Sequence, residues 1–125
     1  MRGSFRHVRF IALPRRSAHR QYRGVTQPTS LDEVLEAIDD LWHARPIARV
    51  NDHEISVAKV AGQHVWHTHP DTDECFLVLA GTLQLALEDT TVTLAAGQVF
   101  VVPAGASHCP SAPDGASILM VEIPA

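Results

Sequence analysis

The sequence has no hydrophobic run long enough to cross a bilayer. Its longest uninterrupted apolar stretch, residues 75–80, has the length of a strand, whereas a transmembrane helix needs about 20 apolar residues. Cysteine is also scarce, since only Cys75 and Cys109 occur in 125 residues. Two cysteines do not make a disulfide framework, so we expect a cytoplasmic location in a reducing compartment and no membrane partner.

Positive charge is nearly missing from the main part of the chain. Seven of the ten basic residues are arginines within the first 23 positions, a stretch without acids, and three basic residues face fourteen acidic ones thereafter. An acidic body repels nucleic acid, so we expect no nucleic-acid partner. We interpret residues 1–28 as an Arg-rich disordered extension; the alternatives are an organelle transit peptide or a start codon assigned too far upstream.

The remaining residues, 29–125, have the length of one domain and begin with a helix signal. Ser30 and Glu33 stand at capping-box spacing. Apolar residues follow at helical spacing: Leu31, Val34, Leu35, Ile38, Leu41 and Trp42. Pro46 disfavours helix at Arg45. The pattern predicts one amphipathic helix over about residues 31–43, with its stripe packed against a sheet.

From Pro46 onward, short β-rich segments alternate with turn residues, which include Gly81 and Pro113 to Gly115. These segments are IARV, ISVAKV, HVWHTH, ECFLVL, TLQLAL, TVTL, QVFVV and SILMVEI. Many short strands at this spacing are typical of an antiparallel sandwich or barrel, an all-β fold. ECFLVL is apolar on both faces, so one face belongs to the barrel interior and the other is covered by the helix or by a second subunit. We therefore expect a homodimer.

The stretch WHTHPDTDE contains the candidate site. On a strand, alternate residues face the same side, so His67 and His69 project together while His64 and Trp66 point the other way. Glu74, beyond the following turn, can add a carboxylate to the set. First-row transition metals accept such nitrogen and oxygen ligands. The spacing alone leaves two interpretations open, a metal site and a pair of surface histidines.

Neighbouring polar and sulfur groups have a simpler interpretation. Asp71 and Asp73 read as a solvated loop, although Asp73 is an alternative to Glu74 as a ligand. Cys75 and Cys109 each follow a candidate ligand directly, so on a regular strand they point away from it, and we interpret both as apolar filler.

Two groups of residues give the chain a resemblance to a known family. The first group comprises Gly62, His67, His69, Glu74 and Gly81. The second comprises Gly97, Pro103, Gly105 and His108. In order and spacing they match the two motifs of the cupin superfamily, and over about residues 46–125 the chain resembles its small single-domain cupin 2 type.

The resemblance implies a double-stranded β-helix, also called a jelly-roll barrel. It implies that one divalent transition metal (Fe, Mn, Zn, Ni or Cu) is held at the mouth by His67, His69, Glu74 and His108, with Glu74 also a candidate catalytic residue. Two departures from the motifs stand out. Four residues separate Gly62 from His67, one fewer than usual, and Ala112 replaces the closing Asn, which puts the local turn support in doubt.

The function implied by the resemblance is a metal-dependent enzyme, of dioxygenase, isomerase or lyase type, acting on a small oxygen-bearing molecule. The scarcity of arginine in the barrel region, which has only Arg45 and Arg49, argues against a mannose-6-phosphate isomerase-like activity. The alternatives are a non-enzymatic module that senses a metal or small ligand, and a structural cupin whose metal only stabilises the fold.

Overall fold

The computed structural model describes residues 27–124. Within them lie one α-helix and six β-strands. The predicted Arg-rich extension therefore lies, up to residue 26, outside the described residues. The elements are α1 (Leu31–Glu36), β1 (Arg45–Val50), β2 (His53–Gln63), β3 (Glu74–Ala86), β4 (Thr91–Ala95), β5 (Val99–Val102) and β6 (Cys109–Glu122).

The six strands pair in antiparallel fashion in the order β1-β2-β6-β3-β4, and β5 pairs with the first half of β3. The two longest strands, β3 and β6, pair along most of their lengths and carry the shorter strands on either side. The predicted all-β jelly-roll barrel is thus confirmed, and one short helix accompanies it. No helix among the described residues is long and apolar enough to span a membrane.

Two expected strand breaks are bends within continuous strands. ECFLVL and TLQLAL join through Gly81 into β3, where the pairing with β6 shifts register. Pro113 to Gly115, expected as a turn, lies inside β6. At Gly81 the backbone has φ of 80°, and a Cβ there would stand 2.3 Å from the carbonyl oxygen of Gly115. The bulge on β3 therefore packs directly against the backbone of β6, and only glycine fits.

The core fills the inside of the bent sheet. Its buried side chains alternate along the strands with half-buried or exposed ones, as period-two patterning requires. The innermost members are Val78, Leu83, Leu85 and Ala112, each without exposed surface. Ala112, which replaces the Asn of the family motif, is therefore a core residue of β6.

The helix is shorter than predicted. It begins at Leu31, with Glu33 N donating to Ser30 Oγ, and ends at Glu36 rather than near residue 43. The chain beyond it is held by β2 instead: Lys59 Nζ donates to Ile38 O, and Trp42 N donates to Lys59 O. These tertiary hydrogen bonds compete successfully with continued helix, because the weak local propensity is overridden by packing.

The outer face of the sheet is also apolar, as the two-sided pattern of β3 predicts. α1 covers one part of it, where Leu35 and Ile38 pack on Val57 with Leu79 and Leu119. Beyond the helix, Val99 and Val101 of β5 are 61% and 48% exposed. Val101 continues the cross-strand row of Val121 and Cys75, and Val99 continues the row of Leu77 and the helix-covered Leu119. Large exposed valines in a row on a sheet indicate a surface that can associate.

We expect Gly81→Ala to destabilise the fold by at least about 2 kcal/mol, because alanine adds both positive-φ strain and a clash with backbone. Gly97→Ala is the matched control, since Gly97 also has positive φ but an added Cβ there meets no atom within 4 Å. Its cost should be about 1 kcal/mol. Urea unfolding followed by circular dichroism measures both; equal losses of stability would contradict the packing account.

Candidate metal centre

The segment that carries His67 and His69 is a loop rather than the expected strand. β2 ends at Gln63, and the next pairing is an isolated bridge between His67 and His108. In that bridge each residue donates its backbone N–H to the carbonyl of the other, at 3.0 Å in both directions. His69 is held next to it, because Gly105 N donates to His69 O at 2.8 Å. The loop and the turn before β6 are therefore fixed to each other by backbone hydrogen bonds.

Four side chains converge at this bridge: those of His67, His69, Glu74 and His108. One candidate ligand atom from each lies within 4.8 Å of the others. Glu74 Oε1 is 3.1 Å from His108 Nε2 and 3.3 Å from His69 Nε2. His108 and Glu74 are buried, whereas His67 and His69 are half-buried. The cluster is compatible with one metal ion, and its exposed side is formed by the two loop histidines.

Hydrogen bonds to backbone carbonyls orient the rings of His67 and His108. His67 Nδ1 lies 3.0 Å from Val65 O, and His108 Nδ1 lies 3.0 Å from Ala106 O. A carbonyl oxygen only accepts, so both Nδ1 atoms carry protons, and each Nε2 is left with a lone pair in the neutral ring. His69 Nε2 is buried and makes no hydrogen bond, although Glu74 Oε1 lies 3.3 Å away.

His108 Nε2 and Glu74 Oε1 are in hydrogen-bonding contact at 3.1 Å, which a proton can bridge, and the same convergence of ring nitrogens and carboxylate offers ligand atoms to a metal cation. Ligating histidines commonly orient themselves by donating the second ring N–H to a backbone carbonyl, as His67 and His108 do here. The residues present therefore fit a divalent transition metal with nitrogen and oxygen ligands.

A cavity of about 190 Å³ opens beside the cluster. Its wall includes His67, His69 and Glu74 of the cluster. The rest of the wall is mostly apolar and comes from β2, β3, β6 and the segment before β1: Trp42, Ala44, Ala58, Val60, Phe76, Pro110, Ile118 and Met120. An apolar wall with a few convergent polar groups is typical of a small-molecule site.

Asp73, the alternative to Glu74 as a metal ligand, contacts a backbone amide instead of the cluster. Its Oδ1 accepts from Ala104 N at 2.8 Å, so it ties the histidine loop to the turn that precedes His108. Asp71 is exposed and Asp73 is outside the cluster of converging atoms. Both sulfur atoms are also removed from the cluster: Cys109 Sγ is buried near His64 O, and burial raises the pKa of the Cys75 thiol on the outer face.

Trp42 and His64 join the cavity although the sequence patterns placed them elsewhere. Trp42, expected in the apolar stripe of the helix that packs against the sheet, does pack against the core, but it lies beyond the end of α1, adopts φ of 60° and donates a hydrogen bond from Nε1 to Ala61 O. His64, expected on the opposite side from His67, is half-buried with its ring 5.5 Å from that of His67 and 4.8 Å from the Trp42 indole. Strand parity failed because residues 64–66 are not in a strand.

Glu122 is the group that sequence reasoning missed. It lies near the end of β6 directly opposite Glu74 on β3 and lines the cavity. Hydrogen-bonding contact with Glu74, burial and the nearby Glu74 charge together raise the pKa of Glu122 to about 7, against the opposing influence of His69 and His67. Glu122 reaches the site because cross-strand partners share a face and β6 pairs with β3 in this register. The register of two strands cannot be read from one sequence, so Glu122 could not be predicted.

The comparison with family models agrees with the fold. The Cupin domain model matches residues 54–123, more than half of the chain. The chain belongs to the cupin family. Among solved structures, a cupin-2 domain protein from Shewanella frigidimarina is 39% identical, with a TM-score of 0.73, and the match covers 74% of this cupin and 91% of that chain.

Curated relatives match over shorter stretches. An uncharacterized protein of Bacillus subtilis, YdbB, is 41% identical over 63 residues, which are 50% of this chain and 56% of that protein. A germin-like protein of Oryza sativa is 38% identical over 68 residues, which are 47% of this chain and 32% of that protein. This cupin therefore spans less than two thirds of the length of these relatives, and they add no activity to the family assignment.

Proposed function

We propose that this cupin is a metal-dependent enzyme that acts on a small oxygen-bearing molecule. The ligands would be His67, His69, Glu74 and His108, with one divalent transition metal. The observation that carries the proposal is the convergence of three imidazoles and one carboxylate at the wall of an apolar cavity. A metal held only for stability would need no adjoining cavity, whereas a substrate needs one.

The metal, when bound, would supply a Lewis acid that polarises substrate oxygen, or redox chemistry if it is iron. The chain's own residues would bind and orient the molecule. Trp42 and Phe76 offer apolar walls to that molecule. Glu74 is the proposed ligand and proton acceptor, since its carboxylate lies between His69 and His108.

Dioxygenase, isomerase and lyase activities all suit this arrangement, and we favour none of them over the others. A sugar phosphate is disfavoured as substrate. Within the part of the chain that the structure describes, no lysine or arginine lines the cavity, and Arg45 and Arg49 are exposed on β1 instead. Phosphate recognition in proteins relies on such cations or on helix N-termini, neither of which lines this cavity.

We expect protein purified without chelator to carry close to one metal ion per chain, and His67→Ala and His108→Ala to lose most of it. Removing one of four ligands weakens the remaining coordination and, for His108, leaves Glu74 without its closest partner. His43→Ala is the matched control, because His43 is an exposed histidine far from the ligand set. Elemental analysis by mass spectrometry measures the metal content.

Retention of the metal by both ligand variants, or its absence from the wild type, would contradict the proposed site. An oxygen-uptake and product screen over catechols, thiols and diketones then separates the activities. A protein that binds metal and ligand but turns none of them over would instead be a binding module, the alternative function.

We further propose that this cupin forms a homodimer through the uncovered part of its outer sheet face. The support is the pair of apolar rows that end at Val99 and Val101, next to the half-buried Leu77 and Val121. Burying such a row on a second copy removes apolar surface from water. The cytoplasmic location also remains a proposal, which rests on the two free thiols.

The full chain has a mass of 13.6 kDa, so light scattering after gel filtration should give twice that value for the wild type. Val99→Glu combined with Val101→Glu should give the monomer mass, because two charges would be buried at the contact. Thr93→Glu, an exposed position on β4, is the control and should remain dimeric. A monomeric wild type would rule the dimer out.

A further inference from the structure

Glu122 faces the same side of the sheet as Glu74. It is the direct partner of Glu74 on β3 and of Glu54 on β2, and side chains that pair across antiparallel strands lie on one face. Of these three carboxylates, Glu74 and Glu122 line the cavity, whereas Glu54 does not. The last strand of the barrel therefore brings a second carboxylate to the edge of the proposed metal site.

One oxygen of Glu122 has no partner. Its Oε2 is buried and accepts no hydrogen bond, although a buried carboxylate oxygen ordinarily has a donor. The side chain is also in hydrogen-bonding contact with Glu74, itself a carboxylate. An unpartnered acceptor in a cavity wall is satisfied when a ligand brings a hydroxyl or amine donor.

The charges around the cavity oppose an anionic ligand. Among the described residues, 27–124, no lysine or arginine lines the cavity. Glu74 and Glu122 place two acidic groups in one wall, so a ligand carboxylate or phosphate would bring a third acidic group into a partly desolvated site.

The size and the walls of the cavity limit the rest of the ligand. Its volume is about 190 Å³, and an apolar cavity of about 150 Å³ holds one benzene molecule. The indole of Trp42 and the ring of Phe76 offer flat apolar surfaces at its edge. The space suits one ring with small polar substituents.

We propose that Glu122 determines specificity: its carboxylate accepts a hydrogen bond from a hydroxyl of an uncharged single-ring molecule bound at the metal, and it repels anionic analogues. This inference rests on the proposed metal-dependent function and names its substrate class. Glu122 contacts the ligand in this account and is not itself a metal ligand.

The experiment uses full-length protein loaded with Co²⁺, whose visible spectrum reports ligand binding without turnover. Catechol and 3,4-dihydroxybenzoate are the probes, identical except for one carboxylate. The wild type should bind catechol at least about tenfold more tightly. Glu122→Gln should remove most of that preference, and Glu122→Leu should weaken catechol binding about tenfold through loss of the acceptor. Neither change should alter the cobalt content.

Glu54→Gln is the matched control, because it removes a carboxylate from the same row but not from the cavity wall. It should keep the wild-type preference. An unchanged preference in both Glu122 variants, or no binding of catechol to the cobalt protein, overturns the specificity role while leaving the metal site intact. Failure of the wild type to hold cobalt contradicts the metal site itself, and this inference with it.

Discussion

The reciprocal backbone hydrogen bonds between His67 and His108 are the contact on which the site depends. They join an irregular loop to the start of β6 and set two imidazoles against each other, with ring centroids 4.3 Å apart. Backbone hydrogen bonds fix the positions of both Cα atoms, and the two Nδ1–carbonyl bonds fix the ring orientations. The two Nε2 atoms are thereby turned inward with Glu74, where they can serve as metal ligands.

The barrel holds that contact in place through two long bent strands. β3 supplies Glu74 at its first residue, and β6 follows directly after His108 and supplies Glu122 near its end. Both strands continue through glycine-dependent bends, so each contributes to the mouth and to the far end of the same barrel. The close approach of Gly81 to Gly115 therefore affects the positions of the site residues from a distance, since it fixes how β3 and β6 bend against each other.

Much of the fold could be predicted because its signals are local. Alternating apolar residues and turn residues indicate an antiparallel barrel, and Ser30 with Glu33 marks the start of the helix. The end of the helix could not be predicted, because it depends on hydrogen bonds from Lys59 and to Ala61 across the fold. Gly81 and Gly115 were read as breaks for a similar reason: a glycine at a bulge and a glycine at a turn look alike in sequence.

The site shows the same difference between local sequence signals and long-range contacts. The four cluster residues follow from motif spacing, which survives even though the segment with His67 and His69 is a loop rather than a strand. Trp42, His64 and Glu122 reach the cavity through long-range geometry: a left-handed tryptophan backbone, an irregular segment after β2, and the register of β6 on β3. None of these has a local sequence signature, so the groups most relevant to specificity emerge only from the structure.

X-ray absorption spectroscopy of the metal that copurifies with the protein tests the central claim most directly. The account predicts a coordination shell of nitrogen and oxygen atoms only, with outer-shell scattering from three imidazoles and at least one oxygen beyond Glu74 that exchanges when a ligand enters the cavity. A shell that contains sulfur from Cys75 or Cys109, or that lacks imidazole scattering, would contradict it.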